Sequence, residues 1–482
     1  MLKIATKLIA LCSVFAFAGS ATAADLTDAE MENLVRQSYR FVAMDNFNNK
    51  FAMDKNNPVN TGGWNRVKAN TELTDHTVQA IARPNNDTLY ISAMIDVTEE
   101  PMIVEYPAFD SIYVSLMVTG YDHYVNVPLT TQNGDFTKPT RILLYSDRTP
   151  GYEGKPVDGV DHVFEATGDY LSAVIRVMPH ANEPERLKRI IAAMKSVRVV
   201  PLSKYKGKTG AIRRFLAWES PLGIRRKLSQ LKNNATFPEF GKTDFDIFEN
   251  NLLEVMQFVF NHTTFDPNDP VDKAVLETYE PLGVVPGREY DPDAVADIDG
   301  EAIRVIAERF ALSQLALATE PDFQSNMLEM FKTRGEISEE VLTFQSVIGP
   351  IGLPATEALY PAVATADNAP MTSAHDYVIK MSAEELPPAK AFWSITLYDI
   401  QNGFFIPNDR KKYSIGLNGG MELYKDGGIT IAIAAEKPEG IAEDNWLPIE
   451  RGDIEIGPIM RLYAPDMKKY GSWKPPVAEM VK

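Results

Sequence analysis

Cysteine is all but missing from this chain of 482 residues: the one present, Cys12, lies in an apolar N-terminal run. Beyond that run there is no thiol for a disulfide, a cysteine nucleophile or a thiolate metal ligand. Histidine is scarce as well. The six are His76, His123, His162, His180, His262 and His375, and no two are spaced as a local metal site. Three catalytic signatures do not occur: the Gly-x-Ser-x-Gly elbow, the His-Glu-x-x-His helix and the Gly-x-Gly-x-x-Gly turn. The chain therefore lacks the local marks of an α/β-hydrolase, a zincin or a dinucleotide-binding enzyme. Gly207-Lys208-Thr209 imitates the end of a phosphate loop, but Leu202 stands where the first glycine is required. No metal and no cofactor is expected.

Long apolar runs are also lacking. The longest, Leu8 to Ala18, follows Lys3 and Lys7 and precedes Ala21 and Ala23. At about 11 residues it is too short for a spanning helix, which needs roughly 20. It reads as a secretory signal peptide over residues 1–23 with an Ala-x-Ala cleavage site. Leu11 before Cys12 argues against lipidation. A secreted or periplasmic protein with no transmembrane segment after cleavage is the expectation.

Basic residues are the minority, 48 against 66 acids, for a formal charge of -18. This balance opposes nucleic-acid binding and attraction to anionic membranes. The basic residues are unevenly spread. From Arg186 to Lys232 there are fourteen of them and a single acid, Glu219. Such a stretch can complement the protein's own acidic surface, or pair with an anion or a second subunit, which leaves homo-oligomerisation open.

What is there is ordinary globular composition, 45% apolar and 24% charged, in a length that calls for several domains. Thr27-Asp28-Ala29-Glu30 is a capping box, and Met31, Leu34, Val35, Tyr39 and Val42 follow at helical spacing. From Thr88 to Met178 the period falls to two, with short strands expected at 89–95, 102–106, 112–118, 124–127, 142–145 and 173–178. Strands at this spacing with no helix between them predict an antiparallel sandwich. Helical periodicity returns in the middle, on faces such as Leu187/Ile190/Ile191/Met194 and Ile303/Ile306/Phe310. Strands reappear at 392–398, 429–434 and 454–463. The predicted fold is α+β and multidomain, with two antiparallel β-sandwiches bridged by a helical middle region. The expected divisions are 24–182, 183–348 and 349–482.

Asp266, Asn268, Asp272 and Glu277 fall at calcium-loop positions, but Pro270 replaces a ligand and Val271 the obligatory glycine, so the segment reads as an acidic linker. Two clusters carry chemistry. Arg83-Pro84-Asn85-Asn86-Asp87-Thr88-Leu89-Tyr90 sets a cation, amides, a carboxylate and a phenol ahead of a strand. Tyr121-Asp122-His123-Tyr124 places a titratable imidazole beside a carboxylate between strands. The plain reading of both is turn chemistry with an ion-pair brace. In the functional reading, Arg83, Asn85 and Tyr90, with Tyr398 from the C-terminal part, bind a ligand, and Asp122, His123 and Asp87 are the candidate catalytic groups. In Phe392 to Tyr398, alternation sends Trp393, Ile395 and Leu397 into a core and leaves Tyr398 at a rim.

Residues 83–90, with Asp96 and Pro101, resemble the signature of the domain of unknown function 1254. Leu386-Pro387-Pro388, Ala391 to Asp399, Asn445-Trp446-Leu447-Pro448, Arg461-Leu462-Tyr463 and Trp473-Lys474-Pro475-Pro476 resemble the companion domain of unknown function 1214. The resemblance implies an immunoglobulin-like N-terminal sandwich, a helical middle and a C-terminal jelly roll, and no reaction. The expectation is an envelope protein that binds a small molecule or an envelope partner. The alternative is an extracytoplasmic hydrolase or lyase in which Arg83, Asp87, Asp122 and His123 share one pocket.

Overall fold

The computed structural model describes residues 26–78, 83–205, 207, 236–318, 320, 323, 325–349 and 351–481. The expected signal peptide and most of the basic stretch lie outside these residues. The fold is α+β, with largely antiparallel sheets and a helical middle region.

The N-terminal unit has two sheets facing across one core. Strands β1 (Arg66–Asn70), β2 (Leu89–Asp96), β4 (Val114–Thr119), β5 (Val125–Thr130) and β8 (Tyr170–Val177) form the first, in the order β1-β2-β8-β4-β5. Strands β3 (Met102–Tyr106), β6 (Thr140–Ser146), β7 (His162–Ala166) and β9 (Arg198–Pro201) form the second, in the order β7-β6-β3-β9. Alternation along the strands sends Leu89, Ile91, Leu116, Val118, Ile175 and Val177 into the core against Val104, Ile142 and Leu144. Helix α2 (Pro184–Ser196) lays Ile190 and Met194 on the same core. With β9 added to the second sheet, this unit runs past residue 182 to about Pro201. The described part of the basic stretch faces the unit's own acids: Arg186 and Arg189 meet Asp110 at 3.2 and 2.7 Å, and Arg198 meets Glu105 at 2.8 Å.

Helix α1 (Asp28–Met53) starts at the expected capping box, with Glu30 N–H donating to the Thr27 hydroxyl and Thr27 N–H to the Glu30 carboxylate. Its apolar face does not join the neighbouring sandwich core. It packs with α3 (Asp244–Asn250), α4 (Leu252–His262), α5 (Pro270–Tyr279) and α6 (Gly300–Leu317) in a separate cluster that includes Leu34, Tyr39, Phe248, Val255, Val275 and Phe310. Helix α7 (Glu339–Ile348) closes the layer against α1. The break between α3 and α4 falls at Asn251, whose φ of -151° and ψ of 30° interrupt a continuous apolar pattern.

The C-terminal unit repeats the two-sheet plan. One sheet runs β10 (Ala358–Leu359), β18 (Glu455–Pro465), β14 (Ala389–Asp399), β15 (Ser414–Gly416), with β12 (Met371–Thr372) also on β18. The other runs β11 (Ala364–Thr365), β19 (Val477–Met480), β13 (Tyr377–Met381), β16 (Ile429–Ala434), β17 (Trp446–Pro448). Trp393, Ile395 and Leu397 enter the core between them with Ile379, Ile431 and Leu462, as the alternation requires. A last helix, α8 (Met467–Tyr470), follows β18. Among the described residues no helix is long and apolar enough to cross a membrane.

Candidate functional site

Two sheet faces that would otherwise be wet are covered by each other. On the first N-terminal sheet the outward row reads Tyr90, Arg176, Ser115, Thr130, because Arg176 is register partner to both Tyr90 and Ser115, and Ser115 to Thr130. On the C-terminal sheet the face opposite the core carries Phe392, Ser394, Thr396 and Tyr398, with Arg461 and Tyr463 directly across from Ser394 and Phe392. The loop from Arg83 to Thr88 enters where these faces meet.

Most polar groups of that loop have a partner in the C-terminal unit or in its own turn. Asn85 Oδ1 accepts from the N–H of Asp87 (2.7 Å) and Thr88 (3.1 Å), an Asx turn that sets up the strand. Its Nδ2 donates to the Tyr463 hydroxyl at 2.7 Å, which in turn donates to Asp87 Oδ2 at 3.1 Å, where Ser394 Oγ also donates at 2.7 Å. Asn418 Nδ2 donates to the Asp87 carbonyl. Asn86 accepts from Ser414 Oγ at 3.1 Å. Tyr398 donates to the Pro84 carbonyl at 2.7 Å. Arg461 Nη2 donates to the carbonyls of Arg83 and Pro84 at 3.1 and 3.2 Å, Nη1 reaches Thr396 Oγ1 at 2.8 Å, and the guanidinium lies 5.5 Å from the Tyr398 ring centre. Arg83 itself takes a left-handed φ of 53° and binds Gly403 through its N–H, while its side chain is exposed.

Burial governs the electrostatics. It raises the Asp87 carboxyl above its ordinary range, with Arg461, Ser394 and Tyr463 pulling the other way. It raises the phenol of Tyr398 to about 12 and that of Tyr463 well above the ordinary range. Glu357, bonded to Thr130 at 2.7 Å, is raised by burial too. Arg176 differs from all of these. It is 5% exposed, in mid-strand, and its guanidinium lies 5.7 Å from the Tyr90 ring. Its Nη1 has no hydrogen-bond partner among the described residues, and no carboxylate there bonds it; Arg461 Nε is unpartnered as well. Tyr360 is 48% exposed as a residue; burial raises its phenol above the ordinary range, and Arg176 and Arg461 pull the other way.

Of the residues expected to bind a ligand, Asn85, Tyr90 and Tyr398 gather in this seam. Arg83 contributes its backbone. The rim placement of Tyr398 is corrected: it is 1% exposed, because Phe405 and Tyr413 of its own unit pack with its ring and the Pro84 carbonyl of the N-terminal unit meets its hydroxyl. The candidate catalytic groups are divided. Asp87 belongs to the seam, whereas Asp122 and His123 turn to the helical layer. Arg334 bridges Asp122 (3.2 Å) and Asp272 (2.9 Å), with its guanidinium 5.2 Å from the Tyr124 ring centre and Arg40 3.8 Å from Asp272. Burial raises both carboxyls and Arg334 offsets it. His123 is fully buried with φ 68°, its carbonyl accepting from Gln345 at 3.1 Å and its ring edge-on to Phe331. Asp272, from the rejected calcium pattern, also accepts from Asp266 N–H. Among the described residues no group of three or more His, Cys, Asp or Glu could hold a metal ion. Arg176 and Arg461 were not singled out as site residues from the sequence. The available signal was a cation within each of the apolar runs Tyr170–Val177 and Ile459–Tyr463.

Two family models match the chain. Residues 64–201 match a protein of unknown function (DUF1254) and residues 357–467 a protein of unknown function (DUF1214). The chain belongs to the two-domain family that carries both. The seam is thus the junction of the two family domains, with Asp87, Tyr90 and Arg176 from one and Ser394, Tyr398, Arg461 and Tyr463 from the other. A comparison with curated proteins finds no match. Among solved structures, the VPA0106 protein of Vibrio parahaemolyticus is similar over 94% of this chain and 100% of its own, at 23% identity and a TM-score of 0.64, and shares the fold. An uncharacterized protein from Burkholderia cenocepacia matches at 12% identity, 94% coverage of each chain and a TM-score of 0.40.

Proposed function

We propose that this is a cell-envelope protein that binds a small anionic molecule, with a carboxylate as the best-fitting group, in the seam between its two family domains. The observation that carries the reading is Arg176: a cation in the interior of a sheet, with no carboxylate partner among the described residues. A desolvated guanidinium is costly unless an anion or several acceptors meet it. Asp87 does not serve it, since Ser394 and Tyr463 occupy that carboxylate. A bound acid would find unpartnered donors in Arg176 Nη1 and Arg461 Nε, both of which bear on the Tyr360 phenol. Guanidinium groups suit a planar carboxylate through paired N–H donors. Export is supported by the lysine-led apolar leader and the lack of cysteine after it. Binding without turnover is favoured over the hydrolase or lyase alternative because Asp122 and His123 are engaged by Arg334, Gln345 and Phe331, away from Asp87.

The test is a thermal-melt series of the wild type and Arg176→Met in sodium acetate, succinate, benzoate and phosphate at matched ionic strength. The wild type should be stabilised by at least one carboxylate, by about 2.7 kcal/mol at 100-fold its Kd. Arg176→Met should lose that response. A wild type indifferent to every anion, or a variant that responds equally, overturns the reading.

A further inference from the structure

Helix α1 is buried along most of its length, and its second half is polar: Asp45, Asn48 and Asn49 are all fully buried. These positions, three and four apart, project from one face. Asn49 Nδ2 donates to Asp45 Oδ1 at 3.1 Å. Beyond that bond, Asp45 Oδ2, Asn49 Oδ1 and both amide atoms of Asn48 have no partner among the described residues, nor do the Tyr121 hydroxyl and Trp64 Nε1. Buried polar atoms are nearly always bonded, so such a group marks a place where something else belongs. Tyr121 is electrostatically coupled to Asp45. The Tyr121 phenol and the Asp45 carboxyl therefore each keep an unused hydrogen-bonding position within range of the other's field.

The neighbouring charges say what fits. Asn46 turns aside to Asp244 (2.6 Å) and Arg40 to Asp272 (3.8 Å). The charged group that bears on Asp45 is Glu254, another acid, and no cation among the described residues pairs with it. The adjoining wall is aromatic: Trp64 and Tyr121 lie 4.8 and 6.0 Å from Tyr170, and Tyr170 stacks on Phe258 at 5.5 Å. A carboxylate with no cation, amide acceptors on the same helix face and ring faces beside them match the needs of a charged amine.

We propose that this face of α1 binds a primary ammonium group, whose three N–H donors meet Asp45, Asn48 and Asn49 while its carbon chain lies against Trp64 and Tyr121. The site is separate from the seam. Tyr170 stands six residues from Arg176 on β8, about 20 Å along the strand.

Methylammonium chloride is the probe, with tetramethylammonium chloride and potassium chloride as controls, followed by thermal melts and calorimetry at pH 9. Methylammonium should raise the Tm of the wild type, and neither control should match it. Asp45→Asn, nearly isosteric, should fold and lose the response; Asn48→Leu should weaken it at least tenfold. No methylammonium response, an equal response to potassium, or a response retained in Asp45→Asn overturns the assignment and leaves these polar atoms to internal water. If Asn48→Leu does not fold, Asp45→Asn alone decides.

Discussion

Tyr463 and Asp87 come from different family domains and meet at 3.1 Å, with the same phenol accepting from Asn85 at 2.7 Å. One hydroxyl therefore holds both an amide and a carboxylate of the Arg83–Tyr90 segment. That segment is the bolt by which the N-terminal sandwich is fastened to the C-terminal one. A loop that has its own Asx turn needs no partner from a second domain to keep its shape, so this pairing serves domain placement and the shaping of the seam.

Tyr463→Phe tests the bolt. The ring remains stacked on Phe392, 4.2 Å away at 9°, so only the hydroxyl is removed. Asn85 Nδ2 is left without an acceptor and Asp87 loses a donor, which should cost about 1–3 kcal/mol. Urea unfolding followed by tryptophan fluorescence should show a lower midpoint, with the two sandwiches beginning to melt separately. An unchanged midpoint would mean that the contact contributes nothing to domain coupling.

Arg334→Leu tests the second junction. Asp122 and Asp272 are both 1% exposed at the side chain and share this one guanidinium at 3.2 and 2.9 Å. Removing it leaves Asp122 with no paired cation and Asp272 with Arg40 alone, 3.8 Å away, at a cost of about 3–5 kcal/mol at neutral pH. Burial already raises both carboxyls, and loss of the cation raises them further. The deficit should therefore shrink as pH falls and both protonate. Adding Asp122→Asn and Asp272→Asn should restore much of the loss. A deficit that is flat from pH 4 to pH 8 would show that packing, not charge, had been lost.

Regular structure was legible wherever one face meets apolar matter and the other does not. The period-two runs at 89–95, 102–106 and 429–434 correspond to strands, and the Thr27–Glu30 box starts a helix. The two-residue strands β10, β11 and β12 have too few residues to show a period. Tyr398 was misplaced because alternation reports which face points away from a core, not whether later loop residues such as Phe405 and Tyr413, or a second domain, cover that face. Asp122 and His123, next to each other in sequence and polar, invited a catalytic reading. Their partners Arg334 and Gln345 lie more than 200 positions on, beyond the reach of any local pattern. Arg176 carries the opposite lesson: a cation amid Leu171 to Val177 was visible, but only the register with Tyr90 and Ser115 shows that it faces a buried seam.

Asp45 gives the protein a pH dependence of unusual sign. Burial pushes its carboxyl up to about 8, Glu254 adds to the rise and Asn49 offsets it in part. In the unfolded chain the group titrates near the ordinary carboxylate value, about 4. The folded state therefore binds more protons than the unfolded state between roughly pH 4 and pH 8, and stability falls as pH rises through that window. The stabilising share is complete below the unfolded value and lost above the folded one. Most carboxylates paired in a native structure act the other way, so the contribution has to be isolated by substitution. Asp45→Asn keeps the shape and removes the titration. It should be more stable than the wild type at pH 8 by a few kcal/mol, and close to it at pH 4. Chemical denaturation of both proteins at half-unit pH steps gives the difference curve directly. A difference that stays constant across the range would show that Asp45 does not change its protonation on folding.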